Sequence, residues 1–158
     1  MTTKELELEI YLALSKTGTY LCFEVMMPSC FSGGQGFANE RVDLLTYDKK
    51  GDWRFYELKI SVSDFRSKSH KTFLGNLNYF VMPRDIYLKV KEEIPKDIGC
   101  FVSCDNFCYC IKKAKRRDLQ IHEEPLKYAF MQALSRQHGK LMKLRLNEKT
   151  KTSNEVDK

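Results

Sequence analysis

Apolar residues recur every three or four positions near the start of the chain, and short apolar segments follow them. The spacing from Leu6 to Leu14 predicts an amphipathic helix over residues 3–16. Residues 19–27 are rich in aromatic and β-favouring side chains, so they predict a strand. A glycine-containing loop is expected over residues 29–39.

The next two apolar segments predict a hairpin that leads into a helix. Residues 41–47 (RVDLLTY) and 53–60 (WRFYELKI) have strand composition, and turn-forming residues separate them at 48–52. Ser61 or Ser63 can accept the free amide hydrogens of a first helical turn, so a helix is expected over residues 61–70.

The rest of the chain alternates helices and strands: strand 77–82, helix 85–93, strands 99–103 and 108–112, and helix 124–137. This order predicts a mixed α/β sheet flanked by helices. A chain of 158 residues fits a single domain, here residues 1–146. Residues 147–158 have almost no apolar side chains and predict a disordered tail.

The composition is that of a folded protein that does not enter a membrane. Hydrophobic residues make up 42% and charged residues 30%, and no apolar run is long enough to cross a bilayer. The start of the chain does not resemble a signal peptide, so a cytoplasmic location is expected. The six cysteines are then expected to be free thiols.

Basic residues exceed acidic ones by 27 to 21, a net charge of +6. The excess lies late in the chain and comprises Lys112, Lys113, Lys115, Arg116, Arg117, Arg136, Lys140, Lys143 and Arg145. The pattern favours a polyanionic partner such as DNA. A basic face that only contacts solvent is the alternative.

Asp43, Glu57 and Lys59 have the spacing that metal-assisted phosphodiester hydrolysis requires. The two carboxylates are hard oxygen ligands for Mg²⁺ or Mn²⁺, and the Leu58 carbonyl could add a third. Glu57 and Lys59 share a strand face, so the ammonium can reach a water or a phosphate oxygen beside the metal. The alternative is an ordinary surface pair at a strand end.

The turn of the hairpin provides a geometric check on this site. Asp43 lies on the same sheet face as Glu57 only if the turn has an odd number of residues or a bulge. Lys50-Gly51-Asp52 as a three-residue turn would satisfy the condition.

The stretch ERVDLLTY…WRFYELKISVSDFRS, residues 40–67, resembles the core of PD-(D/E)xK nucleases, most closely the MmcB-like DNA-repair branch and related phage proteins. The resemblance continues at residues 78–83 and 94–99, although Val42 replaces the proline of the name. It implies a restriction-endonuclease-like fold and a DNA endonuclease or exonuclease dependent on Mg²⁺ or Mn²⁺. The implied setting is DNA repair, recombination or a mobile element.

Several further residues are candidates for this chemistry. Glu9 could supply an upstream acid near the metal, the alternative being a solvent-facing acidic stripe on the first helix. Asp64 and Arg66 are candidates for holding the helix after the motif or for touching DNA phosphate, the alternative being ordinary capping and surface salt bridging. The side chains expected to contact the DNA backbone are Arg66, His70, Lys71, Lys113 and Arg116.

Four alternatives stay open, one about the cysteines and three about the function. Cys100, Cys104, Cys108 and Cys110 could bind zinc, but their spacing departs from the usual knuckle and favours small buried side chains. The protein could also be a junction resolvase, and a resolvase would need to be a homodimer. Two other functions are a nuclease-derived DNA-binding module without catalysis and a protein inhibitor of a nucleic-acid enzyme.

Overall fold

The central feature is a six-stranded sheet with the strands in sequence order. The computed structural model describes residues 1–27, 40–67 and 73–156, with side chains to residue 148. The expected loop at 29–39 lies outside the described residues, as do His70 and Lys71.

The strands are β1 (Thr19–Met26), β2 (Arg41–Asp48), β3 (Trp53–Leu58), β4 (Leu77–Pro83), β5 (Gly99–Cys104) and β6 (Phe107–Lys112). The two central pairings, β3 with β4 and β4 with β5, are parallel, and the outer pairings are antiparallel. β3 and β4 are buried along most of their length, as their largely apolar sequences allow. The predicted mixed α/β class is confirmed.

The helices are α1 (Thr3–Leu14), α2 (Val62–Arg66), α3 (Arg84–Val90), which continues as a 3₁₀ turn (Lys91–Glu93), and α4 (Glu123–Val156). One face of the sheet packs against α1 through Leu6 and Ile10. The other face packs against α4 near β1 to β3, and against α2 and α3 near β4 and β5. Side chains of β1 to β5 therefore point alternately into cores on the two faces of the sheet.

The β2–β3 turn has an odd number of residues. Leu44 lies opposite Tyr56, and the Asp48 N–H donates to the Asp52 carbonyl at 3.3 Å, so residues 49–51 form the turn. Gly51 has φ +81°, which glycine adopts without strain. The prediction of an odd turn is confirmed, one residue earlier than expected.

The last helix is longer than the pattern predicts. Its C-terminal half includes residues 147–156, for which the sequence predicts disorder. Between residues 138 and 156 only Gly139 is a helix breaker, so an established helix can add turns even where no apolar face packs.

Candidate active site

The site forms where β2 and β3 diverge. Their backbone pairing reaches Leu44 and Tyr56, and beyond it the Asp43 carboxylate accepts a hydrogen bond of 2.9 Å from the Leu58 N–H. The Asp43 side chain thus accepts the hydrogen bond that a backbone carbonyl of β2 would accept if the strand pairing continued. Continuing the register by one residue sets Asp43 opposite Glu57, so the two acids meet at the end of β3.

Glu57 and Lys59 form a buried ion pair. Their residues are only 4% and 5% exposed, and the Lys59 Nζ lies 3.8 Å from Glu57 Oε2. The Lys59 backbone N–H donates to the Val81 carbonyl of β4 at 2.9 Å, which fixes the residue just past the strand end. The alternative of a surface pair is therefore wrong.

Asp64 brings a second carboxylate to the same lysine. Ser61 caps α2 by accepting from the Asp64 N–H at 3.0 Å, and the Asp64 Oδ1 lies 3.7 Å from Lys59 Nζ. The ammonium therefore lies between the Glu57 and Asp64 carboxylates. Two anions around one cation compensate the cost of burying Lys59.

A cavity of about 340 Å³ opens in front of these groups. Carboxylates outnumber cations around it by five to two: Glu7, Glu24, Asp43, Glu57 and Asp64 against Arg41 and Lys59. Such an excess of negative charge in a concave site favours a bound cation.

The pKa values of two of these acids are raised. Burial raises the pKa of Asp43, opposed by the Leu58 N–H and by the charge of Lys59. Burial, followed by the charges of Glu24 and Asp43, raises the pKa of Glu7. A divalent cation placed between the carboxylates would relieve this repulsion.

The donor set fits a hard cation that keeps open positions. Among the described residues, no three His, Cys, Asp or Glu side chains form a ready-made metal cage. Mg²⁺ commonly takes only one or two carboxylates and fills its remaining positions with water and substrate phosphate. Asp43 and Glu57 supply two such carboxylates, and Leu58 lines the same cavity.

Glu9 does not reach this cavity; Glu7 lies there in its place. Glu9 acts electrostatically on Cys108 of β6, and its Oε2 is buried without a hydrogen-bond partner among the described residues. Both glutamates flank the stripe of Leu6 and Ile10, on opposite sides. Sequence spacing cannot decide which side faces the site, because the tilt of α1 on the sheet sets it.

Glu24 was not a sequence candidate. It lies on β1 with φ 52°, a left-handed conformation that is uncommon for a residue with a side chain, and forms an ion pair of 3.1 Å with Arg41. Such outliers occur at functional sites. No signal in the sequence marks it, since an isolated glutamate in a strand indicates only an exposed position.

The basic residues expected at the DNA are mostly engaged or distant. Arg66 makes two hydrogen bonds to Glu93, at 2.6 and 3.1 Å. Arg116 binds Asp52 at 3.0 and 3.1 Å, and Asp52 precedes β3 at the end opposite Glu57. Lys113 follows β6, an antiparallel neighbour of β5, and lies at that same distant end. The structure does not bring Lys113 or Arg116 to the cavity.

The cysteines do not converge. Cys100 packs in the core beneath α3, whereas Cys108 packs against α1 on the opposite face. Burial raises the pKa of both thiols to about 12, as expected of small buried side chains. The five cysteines within the described ranges are free thiols.

In the described part of the chain, no helix has the length and apolar character needed to cross a membrane. No family model matches the chain, and no curated protein matches it. A solved structure, the SPO1766 protein of unknown function from Silicibacter pomeroyi, is similar to it with a TM-score of 0.67. The likeness covers 94% of both chains at 16% sequence identity, and at that identity it shows the fold alone.

Proposed function

We propose that the protein is a metal-dependent deoxyribonuclease that hydrolyses phosphodiester bonds in DNA. The observation that supports the proposal most is that Asp43, Glu57 and Lys59 line one acidic cavity at the end of β3. The resemblance of residues 40–67 to PD-(D/E)xK nucleases points to the same three residues.

Each of the three residues has a distinct task in this proposal. Asp43 and Glu57 hold Mg²⁺ or Mn²⁺, with the Leu58 carbonyl as a further ligand, and the ion when bound supplies Lewis acidity and a template for water and phosphate. Lys59 orients the attacking water and stabilises the charge that develops on the phosphate. The Leu58 N–H fixes the direction of the Asp43 carboxylate.

The partner in this proposal is DNA and the location is the cytoplasm. The free thiols of the described cysteines agree with a reducing compartment. The setting implied by the resemblance is repair, recombination or a mobile element.

The test is cleavage of labelled linear, branched and single-stranded DNA with Mn²⁺, and with EDTA in place of the metal. We expect cleavage with Mn²⁺ only, and its loss in Lys59→Ala while DNA binding persists. Lys49→Ala is the matched control, because Lys49 is exposed in the turn at the opposite end of the hairpin.

Two outcomes would reject the proposal. Binding of DNA without cleavage of any substrate would indicate a nuclease-derived binding module. Indifference to nucleic acid would favour an inhibitor of a nucleic-acid enzyme. Cleavage that survives Lys59→Ala would remove the assigned role of that lysine.

A further inference from the structure

Residues 140–148 of α4 extend past the sheet without packing against it. Up to Ala133 the helix buries apolar side chains against β1 to β3. From residue 140 to residue 148 every side chain is exposed, and a Cβ added at Gly139 would meet nothing within 4 Å. The side chains of this segment therefore do not stabilise the fold by packing against the sheet.

This segment leaves the sheet beside the candidate active site. The Gln137 Nε2 donates to the Phe23 carbonyl at 2.6 Å, and Phe23 precedes Glu24, which lines the catalytic cavity. Gln137 also lines a neighbouring groove of about 430 Å³, which shares Glu7 and Glu24 with that cavity. The two concave surfaces therefore adjoin each other at these residues.

Three cations lie along one side of the helix at this point. Arg136, Lys140 and Lys143 are four and three positions apart, so they share a face, and all three are exposed. We call them the α4 stripe. Within the described ranges none of the three forms an ion pair.

The other basic segment of the chain is engaged differently. Lys112 Nζ donates to the Ile94 and Pro95 carbonyls, Arg116 binds Asp52, and Arg117 donates to the carbonyl oxygens of Phe73 and Gly75. These three charges hold loops together, whereas Lys113 and Lys115 are exposed at the end of the sheet away from the cavity. The α4 stripe, by contrast, begins next to Gln137 at the cavity end of the sheet, and its three side chains are exposed.

We propose that the α4 stripe binds the sugar-phosphate backbone of the nucleic acid and guides it to the cavity. The inference rests on the proposed nuclease function for its choice of partner. The α4 stripe extends over about 10 Å, because Arg136 and Lys143 are seven positions apart and a helix rises 1.5 Å per residue. This length matches roughly three nucleotides at 3.4 Å each. Contacts of this kind fix position without reading sequence. They also offset the repulsion of phosphate by the acidic cavity.

The test is binding of a fluorescent DNA duplex in EDTA, where no cleavage occurs, over about 50 to 200 mM salt. The variant is the triple change Arg136→Gln, Lys140→Gln and Lys143→Gln, which keeps good helix formers. We expect affinity to fall at least about tenfold, and the slope of log K against log salt to become shallower by about two to three.

The matched control is Lys16→Gln, Lys49→Gln and Lys50→Gln. It removes the same charge from exposed positions at the opposite end of the hairpin, and we expect affinity to stay within about twofold. A stripe variant that binds with the affinity and salt slope of the parent would overturn the inference. So would a parent that binds no DNA, or stripe-dependent binding to phosphatidylserine vesicles in place of DNA.

The binding assay separates this inference from the nuclease proposal. If the parent fails to cleave with Mn²⁺ but the stripe variant binds DNA more weakly than the parent, the role of the stripe in binding is supported and the nuclease function is rejected. If cleavage depends on Lys59 but the stripe variant binds DNA like the parent, only the role of the stripe in binding is rejected.

Discussion

The Lys59 ammonium lies 3.8 Å from a carboxylate oxygen of Glu57, and both side chains are almost fully buried. Removing one partner of such a pair leaves a charge in a low-dielectric environment. Breaking the pair should therefore lower stability as well as affect the proposed chemistry, and the two effects can be measured separately.

We expect Lys59→Met to destabilise the metal-free protein by about 3 kcal/mol at neutral pH. The reason is that Glu57 and Asp64 lose the cation between them. Urea unfolding in EDTA measures the effect. Adding Glu57→Gln should recover part of the loss, since the double variant no longer buries the Glu57 charge in the absence of the Lys59 ammonium. Strictly additive single changes would show that the two groups are not coupled.

Asp43 should make stability depend on pH in a defined direction. Burial raises the pKa of Asp43 above its ordinary value of 3.8, so the folded chain binds this proton more tightly than the unfolded chain. The contribution of Asp43 therefore favours folding below the ordinary pKa, and it is lost as pH rises through the raised pKa. Asn can still accept from the Leu58 N–H.

It follows that Asp43→Asn should be more stable than the parent at neutral pH in EDTA, and equally stable below the ordinary pKa. The measurement is the denaturation midpoint of both proteins across this pH range. A variant that is less stable than the parent at neutral pH would contradict the assigned cause.

The strands and the three-residue motif could be predicted from sequence because both are local. Strand composition and turn residues predicted β2 and β3, and two positions of spacing set Glu57 and Lys59 on one face. The position of Glu24 at the cavity could not be predicted, because it depends on a positive φ that is uncommon for a non-glycine residue. The pairing of Arg116 with Asp52 joins residues 64 positions apart, and no local pattern predicts it.

A divalent cation should stabilise the folded chain through Asp43 and Glu57. Mg²⁺ or Mn²⁺ at about 100 times its dissociation constant adds about 2.7 kcal/mol to the free energy of unfolding. Thermal unfolding with the metal and with EDTA measures this gain. We expect Asp43→Asn and Glu57→Gln to abolish it, and Glu9→Gln to keep it. An equal gain in all three variants would place the ion elsewhere.

Two glycines should respond to alanine in opposite directions. A Cβ at Gly75 would lie 2.5 Å from the Phe55 ring and 2.8 Å from the Trp53 carbonyl oxygen. Gly75→Ala should destabilise the protein by about 1 to 3 kcal/mol, because the backbone cannot yield easily. Gly139→Ala, in open space on α4, should stabilise it by about 0.5 to 1 kcal/mol. Urea unfolding tests both, and a loss at residue 139 would argue against a continuous α4.

Glu7 and Glu9 differ by two positions on α1, and the structure assigns only Glu7 to the cavity. If the upstream acid assists the metal or its water, Glu7→Gln should lower Mn²⁺-dependent cleavage about 10 to 100-fold, the usual effect of losing a supporting metal-site group. Glu9→Gln should leave the rate within about twofold of the parent. Both changes are matched in size and charge, so single-turnover rates can be compared directly. The reverse order of effects would mean that α1 presents its other side to the site, and the assignment of Glu7 would then have to be withdrawn.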